Sequence, residues 1–320
     1  MPSIIIASDK SSSGKTMVRS VVSSYLKSKG VSVSTIPSIH RSSQSDNKSL
    51  ELPEVEVLSG FDAIDAKASS DKEIGKISEI IASNSSKKMI ISESNSTDMN
   101  HNRKLAEASN SKILLVTDSI EKANKTKEEI GGHLAGIIYN NISRHKIDLV
   151  RSGSGNELLS VIPENRHMIS STVDQYVKHL DGKYLYESEM KNELVLNVMI
   201  GGIVLDWSVL YYESQENVLA LIRGDRPDLQ LGALQAGGNV KGIVLTKGIE
   251  PIEYVTYEAK KLKIPLILVD HNPHETADKI SGIVAKSKFD HVEKLESCLS
   301  HFTANISQGA VDKAMDLNTL

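Results

Sequence analysis

Short, continuous apolar runs alternate along this chain with longer stretches in which apolar residues recur at helical spacing, the pattern of buried parallel strands separated by helices. Residues 4–7 form the first such run. Met17, Val21, Val22 and Leu26 then fall at helical spacing, and Gly30 supplies a helix C-terminal stop. Residues 31–36, 89–92, 113–117, 134–139 and 158–162 read as further strands, with helices predicted around 71–84, 99–109 and 120–130. Residues 40–70 mix a polar Ser/Asn/Lys stretch with a short strand-like run at 55–58 and are left open. After a helical pattern at 173–180 and a charged stretch at 187–193, a second series begins, with strands at 195–200, 218–222, 242–245 and 266–269. Helical patterns near Leu205, Leu229 and Tyr254 separate them, and residues 289–320 read as an amphipathic helical tail.

A chain of 320 residues fits two domains of ordinary size, and the charged stretch is the expected boundary. With 39% hydrophobic and 24% charged residues the composition is that of a globular protein, and only 4% aromatic residues leave the cores to Ile, Leu and Val. The net charge of −4, with no basic stripe, argues against a nucleic-acid partner. A lone cysteine, Cys298, excludes an internal disulfide and a cysteine-rich zinc site and suits a reducing cytoplasm. The N-terminus lacks an export pattern, and no apolar run reaches the roughly 20 residues of a membrane span, so no membrane association is expected.

The candidate chemistry starts where the first strand ends, in Ser11, Ser12, Ser13, Gly14, Lys15 and Thr16. Strand, small-residue turn, Gly-Lys-Thr and helix is the order of a phosphate-binding loop, whose backbone amides and helix dipole favour an anion. Lys15 would then reach the β and γ phosphates of a nucleotide, and the Thr16 hydroxyl would hold magnesium. The glycine usual five positions before Gly14 is absent, because Asp9 stands there. The competing reading is a serine-rich helix cap with a surface lysine. Glu93 follows a strand at the carboxyl edge of the sheet, where a carboxylate either holds magnesium or faces solvent. Asn140 and Asn141 also follow a strand, and would read a base edge or form a turn.

These segments resemble the dethiobiotin synthetase and cobyrinic acid a,c-diamide synthase group of P-loop proteins, whose phosphate loop is longer. The resemblance places Ser8 at that group's first loop glycine, Glu93 at its magnesium-binding glutamate, and Asn140 or Asn141 at its base-recognising asparagine. It implies ATP, or another nucleoside triphosphate, with Mg2+ as ligands. The segments Val161-Ile162-Pro163-Glu164-Asn165-Arg166, Ser171-Thr172-Val173, Gly224-Asp225-Arg226-Pro227-Asp228 and Leu245-Thr246-Lys247-Gly248 resemble proteins that join such a P-loop domain to a DRTGG domain. The same pair forms the N-terminal part of long phosphotransacetylases. The implied fold is a P-loop NTPase-type parallel sheet with helices on both faces over residues 1–186, a linker at 187–193, a smaller α/β DRTGG domain at 194–288, and a tail. The resemblance brings no phosphotransacetylase catalytic domain. Ile36 stands where dethiobiotin synthetases carry the lysine that acts on substrate, Cys298 has no nucleophile turn around it, and Lys247 replaces a motif glycine.

In the second half, Pro227 suits a first helical position and Asp228 the helix dipole, which explains the acidic residues without a ligand. The rival reading has Arg226 and Lys247, each just after a strand, converge on an anion beside Asp225 and Asp228. His271 and His274 lack a third ligand at suitable spacing, so a turn and a helix cap are expected. Three functions follow: a Mg-nucleotide-binding protein whose second domain senses a small molecule or regulates a partner, an ATP-dependent ligase acting on a carboxylate through an acyl phosphate, or an accessory module for a separate acyltransferase. Self-association is left open.

Overall fold

The computed structural model describes residues 3–36, 52, 55–58, 70–85, 88–94, 96–203 and 205–316, so the polar stretch at 40–50 lies outside the described residues. The chain divides into two compact units, one of Met1–Asn165 with Phe289–Leu320 and the other of Arg166–Lys288.

The first unit begins with β1 (Ser3–Ser8) and α1 (Lys15–Ser28), followed by β2 (Val33–Ile36), β3 (Glu56–Val57), α2 (Ser70–Asn84) and β4 (Met89–Glu93). Then come α3 (Met99–Ala108), β5 (Ser111–Thr117), α4 (Ile120–Ile130), β6 (Leu134–Ile142), α5 (Ile147–Gly153) and β7 (Leu158–Pro163). Every residue of β1 and β4 is buried, as a strand covered on both faces demands, and β-branched isoleucines suit that pleated surface. The seven strands run in the order β3-β2-β4-β1-β5-β6-β7, all parallel. The chain leaves β1 toward one edge of the sheet and later builds the other edge from β5. Around such a reversal the carboxyl ends of the strands form the crevice in which open α/β sheets hold ligands.

The second unit contains α6 (Arg166–Ile169), β8 (Ser171–Thr172), α7 (Val173–His179), β9 (Lys183–Tyr186), β10 (Leu194–Val195), β11 (Asn197–Ile200) and α8 (Leu205–Glu213). It continues with β12 (Val218–Arg223), α9 (Pro227–Gln235), β13 (Val240–Thr246), α10 (Glu253–Leu262), β14 (Leu266–Leu268) and α11 (Pro273–Ser281). Its sheet has the order β11-β12-β13-β14-β9, parallel except for β9. Successive β12 residues face opposite cores, Ala220 and Ile222 toward one and Leu219 and Leu221 toward the other, so the strand is buried on both sides.

The division falls at Asn165/Arg166, ahead of the expected 187–193. Val173, Tyr176, Val177 and Leu180 pack with Leu219, Leu221, Val244 and Ile267, and β9 hydrogen-bonds along β14. The charged stretch is a surface turn inside the second unit: its charges mark solvent exposure, which a loop between strands shares with a linker. The tail forms α12 (Val292–Ala304) and α13 (Gln308–Ala314) and returns to the first unit. Phe302, 2% exposed, meets Tyr25 of α1 edge to face at 5.6 Å, and the Ser307 amide donates to the Leu159 carbonyl on edge strand β7 at 2.8 Å. Among the described residues no helix is long and apolar enough to cross a membrane.

Candidate functional site

The turn from β1 into α1 is built around Gly14, whose φ of 90° lies in the left-handed region. A Cβ there would also stand 2.3 Å from Asn140 Nδ2, so glycine is required by conformation and by space. Asn140, from the end of β6, donates from Nδ2 to the Ser13 carbonyl at 2.8 Å and fastens the turn to the neighbouring strand end. Ser11 and Ser12 form the exposed crest, whereas Ser13 is buried and its hydroxyl has no hydrogen-bond partner. Ser8 is buried at the end of β1 and its hydroxyl accepts from the Lys10 amide at 3.3 Å. Lys10 forms an ion pair with Asp118 after β5, and that hydrogen bond is the largest influence holding the Asp118 carboxyl below its ordinary pKa.

Lys15 is only 7% exposed. Burial pulls its ammonium pKa below 10.5, opposed by the fields of Glu93 and Asp9. The Thr16 hydroxyl donates to Glu93 Oε1 at 2.9 Å, and Arg19 Nη1 lies 3.5 Å from Glu93 Oε2. Glu93 ends β4, and beyond it Ser94 Oγ donates to Asn102 Oδ1 at 2.6 Å and Asn102 Nδ2 donates to the Ser96 carbonyl at 3.1 Å. Magnesium takes oxygen ligands at about 2.1 Å in an octahedron, which puts neighbouring ligand oxygens about 3 Å apart. The Thr16–Glu93 oxygen separation fits that geometry.

Ser8, Ser11, Ser12, Ser13, Gly14, Lys15, Thr16, Glu93 and Asn140 therefore meet at one sheet edge. Asn141, exposed with a φ of 60°, sits where the β6–β7 register shifts. The amide of Asn140 serves the loop itself, a contact that the sequence reading did not foresee. Arg19 and the Lys10–Asp118 pair were also missed. Arg19 carries a faint signal, a basic residue one turn after Lys15 among the apolar positions of α1.

In the second unit the corresponding edge differs. Arg223 Nε donates to Asp225 Oδ1 at 2.9 Å, and Arg226 grips Asp228 through Nε at 2.9 Å and Nη2 at 2.6 Å. Arg226 is thus engaged by its own turn rather than directed with Lys247 at an anion, and Pro227 takes the first helical position. Lys247 is exposed with a φ of 70°, its amide donating to the His271 carbonyl at 2.8 Å. A Cβ on Gly224 would fall 2.0 Å from the Ile249 carbonyl oxygen, so these turns touch through backbone. Asn272 and Glu275 form a capping box on α11, beside His271 and His274. Among the described residues no three His, Cys, Asp or Glu side chains gather as a metal site. Cys298 is fully buried and its thiol pKa is pushed up to about 12 by burial.

The fold is that of a parallel α/β protein with a strand-turn-helix loop at one sheet edge, joined to a second, smaller α/β unit. Residues 175–283 match the DRTGG domain family, so the second unit is a DRTGG domain. Over 205 residues the chain is 24% identical to the phosphate acetyltransferase of Haemophilus influenzae, a match covering 60% of this chain and 28% of that enzyme. Among solved structures, the MinD cell division protein of Aquifex aeolicus is similar over 53% of this chain and 85% of its own, at 16% identity and a TM-score of 0.37. The CBS and DRTGG domains of Clostridium perfringens pyrophosphatase, complexed with diadenosine tetraphosphate, are similar over 57% of this chain and 76% of their own, at 16% identity and a TM-score of 0.32.

Proposed function

We propose that the first unit binds a magnesium–nucleoside triphosphate, ATP or a relative, and that the DRTGG unit is regulatory. The observation that carries this reading is the approach of Thr16 Oγ1 to Glu93 Oε1 at 2.9 Å beside the buried Lys15. A buried ammonium and a buried carboxylate beneath a loop are costly to keep, and phosphates on Lys15 with a metal ion on Glu93 would offset that cost. Loop amides and Lys15 would hold the phosphates, Ser13 Oγ would gain an acceptor, and Thr16 with Glu93 would hold the metal, which neutralises phosphate charge when bound. Asn140 or Asn141, at the end of β6, would read the base edge. Calorimetry with ATP and magnesium tests the reading, with Lys15→Ala as control. Binding that Lys15→Ala removes supports it, and absence of binding to the unaltered protein sinks it. Hydrolysis, followed in the same samples with candidate carboxylates, separates a regulatory nucleotide from a ligase.

The match to a phosphate acetyltransferase favours a second reading, an accessory unit for such an acyltransferase. Mixing this chain with an acyltransferase catalytic domain should then change that domain's rate in a nucleotide-dependent way. An unchanged rate excludes it.

A further inference from the structure

The floor of the phosphate loop holds a cation that Lys15, Thr16 and Glu93 do not account for. Arg19 lies one helical turn beyond Lys15, so the two share a face of α1. Its guanidinium stands 3.5 Å from Glu93 Oε2 while Thr16 occupies Oε1 at 2.9 Å, so the two oxygens of one carboxylate have different partners. Arg19 is 5% exposed and Glu93 6% exposed, and water screens such a pair poorly.

We propose that Arg19 is a positioning residue that holds Glu93 with Oε1 toward the metal and offsets its charge, so that a divalent cation enters with the nucleotide phosphates rather than before them. The proposal rests on the nucleotide reading above. Among the described residues, the charges acting at the loop floor include the two cations Lys15 and Arg19 against the two carboxylates Glu93 and Asp9, and the neighbouring Lys10–Asp118 pair is neutral as a unit. A divalent ion arriving alone finds no surplus negative charge, whereas phosphates find the Lys15 ammonium beside the Arg19 guanidinium and bring the negative charge that the metal needs. With Glu93 free of Arg19, the same two oxygens would attract the metal first.

Mn2+ binding without nucleotide, read by the electron paramagnetic resonance signal of the free ion, tests this directly, alongside ADP calorimetry with and without Mg2+. The unaltered protein should bind Mn2+ weakly alone. Arg19→Met should bind it about tenfold more tightly and bind metal-free ADP about tenfold less tightly, the change expected from removing one poorly screened charge at this range. Arg19→Lys should restore both values, which a purely structural role would not require. If Arg19→Met leaves both unchanged while Lys15→Ala abolishes ADP binding, the proposal fails and the nucleotide reading stands. Tight Mn2+ binding by the unaltered protein without nucleotide also overturns it, whether or not the variant folds. If the unaltered protein binds no nucleotide with or without metal, the nucleotide reading itself fails.

Discussion

The parallel sheet of the first unit and the mostly parallel sheet of the second present their carboxyl edges in opposite electrostatic states. In the first unit Lys15, Arg19 and Glu93 are buried beneath a loop that ends in a left-handed glycine and contains a buried hydroxyl without a partner. In the DRTGG unit Arg223 and Arg226 are exposed, and each is neutralised by an aspartate two residues on. Strand-end position is common to both, so position alone does not make a ligand site. The distinguishing feature is charge held out of water without being satisfied inside its own turn. Exposed ion pairs cost little to keep and contribute little, whereas buried charge persists only with a counterpart.

The comparison breaks most visibly in the packing that supports the first edge. Phe302→Ala should destabilise the first unit by about 3–5 kcal/mol, the cost of deleting a buried aromatic ring. Hydrogen exchange should then show lost protection in α1 and β7, with the DRTGG unit unchanged; equal loss in both units would refute the assignment of α12. Lys15→Ala should weaken nucleotide binding about 10- to 100-fold, the value of charge-assisted hydrogen bonds to phosphate, with an unaltered circular dichroism spectrum. Gly14→Ala should weaken it by at least about tenfold, because a left-handed alanine is strained and its Cβ meets Asn140. A smaller effect is expected from pH. Because burial depresses the Lys15 pKa below 10.5 and phosphates favour the charged ammonium, nucleotide affinity should fall as pH rises through that depressed value. Calorimetry in buffers of different ionisation enthalpy should then show proton uptake on binding at alkaline pH, and none in Lys15→Ala. The smallest effect should come from Arg226→Ala, with no measurable change in unfolding midpoint or nucleotide affinity, because its partner Asp228 remains solvated.

Much of this architecture is written in local pattern. The buried strands β1, β4, β5, β6 and β7, and those from β12 to β14, announce themselves as apolar runs, because parallel strands covered on both faces need no alternation. The places of Gly14, Lys15 and Thr16 in a strand-to-helix turn and of Glu93 at a strand end are legible in the order of elements, whereas position alone leaves Glu93 equally a metal ligand or a solvent-facing residue. What stayed hidden depends on partners far along the chain. Nothing near residue 302 announces Tyr25, and nothing near Lys183 announces Leu268. Arg19 hid because a single arginine in a helix reads as solvated unless its burial is known. The pairing of Arg226 with Asp228, two residues apart at a helix start, fitted two readings until the side-chain geometry separated them.

The return of α12 to the first unit has a consequence for the order in which the protein is made. Domains generally fold as they leave the ribosome. Here β7 is finished before Arg166, but the residues that cover it, Phe302 and Ser307, emerge only after the whole DRTGG unit. Translation must therefore pass through the second unit before the first is complete, and a nascent chain halted within it carries the loop of residues 11–16 on a sheet whose edge is still bare.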